Sequence, residues 1–395
     1  MNRKISAHYI FPVSTAPIRN GIIEIDKQGT IIQIINPGKE IKEQAGVEFY
    51  NGILVPGFVN THCHIELSHL KNKIPKHTGL HNFVGYVSKF RNADETTIQE
   101  AIKKADFEMK KNGIVAVGDI SNQRISIETK KTSKIKYHTF IEVFSLNPDL
   151  SEEKISEGEN LVKLFSKNNL DASIVPHAPY SISGKLFNLL KNKMLKSKFP
   201  VTMHNQETKS ENELFQSKKG ALYETFLNWG IEFPDFYPTG KNSLASVVKY
   251  LPQKNNCLLV HNTFTGKEDI KQANTQLENI YWTFCPNANL YIENQLPDIS
   301  LFYSEKQKCC IGTDSLASNT QLSVLEELKT IQKYFPEIPL NELIKWATLN
   351  GAQALNLSNK LGSFEPGKQP GIKLINGIDF KNMRLSPKSS VKVLV

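Results

Sequence analysis

PGFVNTHCHIELS (56–68) is the stretch on which the reading of this chain turns. An apolar run leads into two histidines one residue apart. Side chains two apart on a strand share a face, so His62 and His64 project together while Cys63 points to the opposite side. This run is one of a series. Strand-like apolar runs recur at ILVPGFVNTH (53–62), GIVAVGDIS (113–121), KYHTFIEVF (136–144), LDASIVPHAP (170–179), FPVTMHNQE (199–207), CLLVHNT (257–263), IYWTFCP (280–286) and KCCIGTDS (308–315). Most are separated by Lys/Glu-rich segments of helical period, such as TTIQEAIKKADFEMKK (96–111) and SEEKISEGENLVKLFSKN (151–168). Near-continuous apolar strands between amphipathic helices imply an α/β fold with a parallel sheet covered by helices. Pattern alone gives six to nine such strands, and eight fit a closed (β/α)8 TIM barrel.

The two ends of the chain read differently. HYIFPV (8–13), then GIIEID and TIIQIIN around a turn at Asp26–Gly29, are short strands. Similar material returns in LGSFEPGKQPGIKLI (361–375) and the terminal VKVLV. This predicts a small β-sandwich domain built from both termini, residues 1–52 plus 356–395, around a barrel domain at 53–355. The segment 208–255, with Trp229, Phe233, Phe236 and Tyr237, reads as a satellite core or a lid. The loop after the first strand, with His69, His77 and His81 placed on the surface, is a second lid candidate through GLHNFVGYV (79–87).

Composition narrows the classes. With 395 residues and 39% apolar content the chain can build a large core. No apolar run of 18 residues suggests a membrane span, and no N-terminal signal-peptide pattern is visible. The five cysteines form no CxxC pair, which fits a reducing cytoplasm. The net charge of +9 comes from lysines scattered through helices, without an aromatic-interleaved basic stretch. No nucleic-acid or membrane partner is expected; the partner is a small-molecule substrate.

Chemistry gathers at the strand ends. His62 and His64 close the first strand, His177 the fourth, His204 the fifth, His261 the sixth and Asp314 the eighth. In a barrel that edge is where the loops converge on one mouth. Histidines and a carboxylate meeting there are donors for a divalent metal. Glu66, two residues past His64, either touches substrate or closes the loop. Ser315 and Asn319 either touch substrate or shape the turn after Asp314. Cys309 and Cys310 read as buried apolar residues.

The chain resembles the amidohydrolase superfamily, in its branch of purine-nucleoside and triazine deaminases and chlorohydrolases. The resemblance rests on PGFVNTHCHIELS (56–68), PHAPYSIS (176–183), MHNQE (203–207), LVHNT (259–263), CPNANLYI (285–292), GTDSLASN (312–319) and WATLNGAQALNL (346–357), in this order along the chain. It implies eight barrel strands and one divalent metal on His62, His64, His204 and Asp314. Three imidazoles and a carboxylate suit Zn²⁺, with Fe²⁺ second. It also implies that Glu207, His261 and Asp314 are catalytic and that His177 contacts substrate. No lysine ends the fourth strand, so the carboxylated lysine of the binuclear relatives is absent.

A bound metal lowers the pKa of its water to about 7, supplying hydroxide at neutral pH. Asp314 can take a proton, Glu207 can protonate a ring nitrogen, and His261 can stabilise developing charge. The expected reaction is deamination of an amino-substituted nitrogen heterocycle, an adenine nucleoside derivative such as aminofutalosine or methylthioadenosine. Hydrolysis of an amide, cyclic amide or halogenated ring is the alternative, and an inactive binding protein the third class. Relatives of this kind often form homodimers.

Overall fold

The computed structural model describes residues 2–38, 46–233 and 236–395. Five strands open the chain: β1 (Arg3–Ile10), β2 (Ile18–Arg19), β3 (Ile22–Ile25), β4 (Ile31–Ile35) and β5 (Val47–Pro56). Eight follow: β6 (Phe58–Cys63), β7 (Ile114–Ser121), β8 (Lys136–Val143), β9 (Asp171–Pro176), β10 (Val201–Asn205), β11 (Asn256–His261), β12 (Asn279–Phe284) and β13 (Cys309–Ile311). Two more, β14 (Ile372–Asp379) and β15 (Arg384–Val393), end it.

The first and last strands share one seven-stranded sheet in the order β15-β14-β5-β1-β3-β4, with β2 paired to β1. Its apolar side buries Ile5, Ile10, Ile23, Leu54, Phe364 and Ile372 in a core separate from that of the barrel. The turn at Asp26 follows from side-chain chemistry. Asp26 Oδ1 accepts from the backbone N of Gln28 and Thr30 at 2.9 and 2.8 Å, and β3 and β4 pair antiparallel across it. Residues 39–45 of the N-terminal span lie outside the described residues.

The run 53–62, which the sequence offers as one strand, is two. β5 belongs to the terminal sheet through Pro56, and β6 begins the barrel at Phe58. Gly57 makes the handover: a Cβ there would lie 2.3 Å from Val115 Cγ1 and 2.7 Å from the Pro370 oxygen. No side chain fits between those neighbours.

β6–β9 and β10–β13 form two four-stranded parallel sheets. Hydrogen bonds join them at both seams. His204 N donates to the His177 oxygen at 2.9 Å, and Thr313 N and Asp314 N donate to the His62 oxygen at 3.0 and 3.1 Å. A parallel bridge between Cys63 and Asp314 continues the second seam. The ring of eight parallel strands is thereby a TIM barrel, and its seams fall at the candidate ligands.

Helices cover the ring by their apolar stripes. The helix Glu95–Lys111 buries Ile98, Ile102, Ala105 and Met109, one face at spacings of three and four. Asp94 caps it by accepting from Thr97 N at 2.8 Å. Each buried isoleucine contributes roughly 1.5–3 kcal/mol. Within 208–255 the helices are Lys209–Ser217, Ala221–Asn228 and Ser243–Val247. Phe233 joins the main core while Tyr237 is exposed; Pro234 and Asp235 lie outside the described residues. No helix among the described residues is long and apolar enough to cross a membrane.

Candidate metal centre and catalytic cavity

Four donors converge at the barrel mouth. β6 delivers His62 and the residue beyond its end, His64; β10 delivers His204; the turn after β13 delivers Asp314. His64 Nε2 lies 3.2 Å from His62 Nε2 and 3.3 Å from His204 Nε2. Asp314 Oδ1 lies 3.7 Å from His62 Nε2 and 3.5 Å from His64 Nε2. Donors at about 2.0–2.1 Å from a tetrahedral cation stand about 3.3 Å apart, so the three histidines fit a zinc-sized ion, with Asp314 close to two of them. The local chain is built for this approach. Gly312 admits β13 against β6, since a Cβ there would meet His62 Cβ at 2.8 Å. Ser318 Oγ donates to Asp314 Oδ2 at 2.5 Å, leaving Oδ1 for the shared point.

The protonation states of His62, His64 and Asp314 suit ligation. Burial pushes His62 down to about 3 and lowers His64, so both imidazoles are neutral. Burial opposes ionisation of Asp314, but the nearby His62, His64 and His261 imidazoles hold its carboxyl well below the ordinary range. His204 is different. Burial would lower it, yet the Glu142 carboxylate raises it to about 9. Its Nδ1 lies 3.2 Å from Glu142 Oε1 and 2.9 Å from the His177 oxygen, which keeps the proton on Nδ1 and turns Nε2 toward the other donors. Glu142, His177 and His204 also lie within ligand distance of one another. An Nδ1 that carries a proton is no ligand, so this cluster orients His204.

Beside the quartet stands an acid–base pair. Glu207 Oε1 lies 3.6 Å from His261 Nε2, and both side chains are buried. Burial raises the Glu207 carboxyl well above its ordinary value and lowers His261 well below. The turns that carry them are strained. Gln206, His261, Asn262 and Asp314 adopt positive φ of 45°, 74°, 59° and 55°, a conformation that costs non-glycine residues energy and gathers at functional sites. Buried polar contacts hold them in it. Glu211 accepts from the backbone N of Gln206 and Glu207 at 3.0 and 3.2 Å, and Asn205 donates to Asn262 Oδ1 at 3.0 Å.

The other sequence candidates divide. His177 lines the cavity with its Nδ1 2.8 Å from Ser181 Oγ, leaving Nε2 free. Ser315 also lines the cavity. Glu66 lines it too, but its carboxylate accepts from Asn122 N at 3.1 and 3.2 Å and from Ser121 Oγ at 3.1 Å, so it closes the loop. Asn319 takes the second of the two roles that the sequence leaves open for it. It does not line the cavity; its amide donates to the Thr313 oxygen at 3.0 Å and to Glu327 Oε1 at 2.8 Å, shaping the Asp314 turn. His69 is buried rather than on the surface, because its two ring nitrogens reach the backbone oxygens of Glu66 and Arg91. Glu142 and Glu211 went unrecognised in the sequence. Glu142 carries a usable signal, a charged residue inside the apolar run KYHTFIEVF.

The cavity above the quartet has a volume of about 950 Å³. Leu80, Phe83 and Val87 from the helix Gly79–Phe90 line it together with Phe226, Trp229 and Ile231. Both lid candidates therefore supply wall. Among the described residues Arg91 is the sole lysine or arginine on the lining, and no carboxylate of theirs lies within salt-bridge distance of it.

Comparison with known proteins places these features in context. A family model described as "Amidohydrolase family" matches residues 53–393. The chain is 29% identical over 334 residues to an adenosine deaminase of Helicobacter pylori, covering 82% of this chain and 79% of that protein. It is 26% identical over 403 residues to a 5′-deoxyadenosine deaminase of Methanococcus vannielii, covering 95% and 88%. Among solved structures, Helicobacter pylori aminofutalosine deaminase in complex with methylthio-coformycin superposes with a TM-score of 0.79 at 23% identity, covering 95% of this chain and 92% of that one.

Proposed function

This chain belongs to the amidohydrolase family, and on that premise we propose that it is a metal-dependent hydrolytic deaminase of adenine nucleoside derivatives. His62, His64, His204 and Asp314 would hold one divalent cation, with Zn²⁺ favoured by the donor set over Fe²⁺. Bound there, the cation supplies the Lewis acidity that makes water nucleophilic near neutral pH.

The chain's own groups then divide the proton traffic. Asp314, ionised, accepts the proton that water gives up as its oxygen bonds to the ring carbon bearing the amine. Glu207, held protonated by burial, donates to the adjacent ring nitrogen, so the ring's extra electron pair is neutralised as it forms. His261, neutral, stabilises the oxygen at the attacked carbon. Asp314 passes its proton to the amino group, which leaves as ammonia; as the carbonyl forms, the added hydroxyl gives its remaining proton to the Glu207 carboxylate, and the ring nitrogen keeps its hydrogen.

The observation that carries this reading is the buried Glu207–His261 pair at 3.6 Å beside the ligand quartet. Hydrolysis of an amide needs no protonated carboxyl aimed at a ring nitrogen. The cavity volume of about 950 Å³ exceeds what adenosine alone fills, and its apolar walls with Arg91 at the side suit a bulky 5′ substituent ending in an anion. Ammonia release decides the matter, measured with adenosine, 5′-deoxyadenosine, methylthioadenosine, S-adenosylhomocysteine and aminofutalosine. Turnover of at least one supports the deaminase; none, with hydrolysis of a cyclic amide or chlorinated triazine instead, supports the alternative. Five buried, unpaired thiols fit a reducing compartment, and the cytoplasm is our proposed location.

A further inference from the structure

Behind the first two ligands lies a charge pair that the reaction does not use. Lys130 Nζ sits 2.6 Å from Asp119 Oδ2, and both side chains are fully buried. Lys130 comes from the short helix Ile127–Thr132 and Asp119 from β7. The ammonium also donates to Thr139 Oγ1 at 3.0 Å and lies 5.4 and 5.1 Å from the ring centres of Tyr137 and Phe165. Asp119 Oδ1 accepts from the backbone N of Ile65 at 2.9 Å. Ile65 directly follows His64.

Removing two charges from water is costly, and apolar residues of similar volume often hold a fold as well or better. Stability alone therefore gives a weak reason for this pair; its position gives a stronger one. β6 stops at Cys63, and His64 leaves the strand at φ −120° and ψ 77°. Beyond the strand end the Ile65 amide has lost its ladder partner while the residue stays buried. We propose that Asp119, charge-balanced by Lys130, is a positioning residue for the metal centre, fixing the peptide after His64 and so aiming that imidazole at the other donors. One carboxylate oxygen holds the peptide. The other is clamped by an ammonium that is itself tied to Thr139, so the carboxylate is fixed from both sides. Asp119 acts through His64 and rests on the metal reading above.

Cobalt(II) titration into the metal-free chain tests this, because its d–d absorption bands report ligand geometry as well as affinity. Asp119→Asn with Lys130→Met keeps an acceptor for Ile65 and removes both charges; it is expected to bind Co²⁺ within about threefold of wild type with the same bands. Asp119→Leu with Lys130→Met removes the acceptor. It is expected to stay folded without metal at a somewhat lower thermal midpoint, yet bind Co²⁺ about 10–100-fold more weakly with altered bands, the usual scale for lost outer contacts. Should the leucine variant fail to fold, Asp119→Ala with Lys130→Met carries the same comparison. Wild-type affinity and bands in the folded variant lacking an acceptor overturn the proposal. A wild-type chain that takes up no cobalt overturns the metal reading instead.

Discussion

His204 Nδ1 stands 3.2 Å from Glu142 Oε1, on the side of the ring away from the other ligands. A ligating imidazole whose second nitrogen faces a carboxylate is held in one tautomer and one orientation, and its basicity rises. Glu142→Gln keeps the volume and one acceptor but removes the charge. It is expected to weaken metal binding about 10–100-fold without unfolding the chain. Competition with a chromophoric chelator measures this, and an unchanged affinity would take Glu142 out of the centre.

Glu207→Gln separates proton transfer from metal binding. The amide fills the same buried space beside His261 but has no acidic proton to give. Metal content by elemental analysis is expected to stay at the wild-type level while turnover falls at least about 100-fold. A fully metallated variant with near-normal rate would reject the acid role.

The convergence of the candidate ligands was legible because each ends an apolar run, and a TIM barrel brings such ends to one mouth. His62 and His64 needed only the two-residue period of a strand. Lys130 was illegible for the opposite reason: in a chain rich in surface lysines, IETKKT reads as a solvated helix, and only the packed structure shows one of its lysines turned inward. Asp119 and Glu142 leave a trace as charges inside apolar strands, but the trace does not say which face they take. The division of 53–62 between two sheets was hidden because Pro56 and Gly57 interrupt the hydrophobic run without breaking its apolar character. Asn319 shows the limit of proximity in sequence: five residues after Asp314, it serves the turn and not the cavity.

Arg91 gives substrate choice a handle. Among the described residues it is the single lysine or arginine lining a cavity whose other walls are apolar side chains, histidines, hydroxyls, amides and carboxylates. A hydrogen bond to a charged partner contributes about 1.5–3 kcal/mol, a factor of roughly ten or more. Arg91→Met is therefore expected to raise KM at least about tenfold for adenine nucleosides whose 5′ substituent ends in an anion. Neutral 5′ substituents should stay within about twofold. Equal losses for both kinds would show that Arg91 only shapes the wall.

Glu327 makes stability depend on pH in the direction opposite to an ordinary surface carboxylate. It is fully buried, and burial pushes its carboxyl up to about 8, although Asn287 N and Asn319 Nδ2 donate to it at 2.9 and 2.8 Å. In the unfolded chain the same group titrates near 4.5. The fold therefore binds this proton more tightly than the unfolded chain does. The stabilisation is complete below 4.5 and is lost as pH rises from there through about 8. Urea midpoints measured from pH 5 to 9 are expected to decline for the wild type and to decline less steeply in Glu327→Gln, which cannot titrate, while the raised Glu66, Glu207 and Glu211 carboxyls keep part of the slope in both proteins. The amide substitution shifts stability by a constant through its altered hydrogen bonds, so the slope and not the level is the readout. Parallel slopes in the two proteins would mean that Glu327 stays ionised in the fold, its charge carried by the two amides that face it.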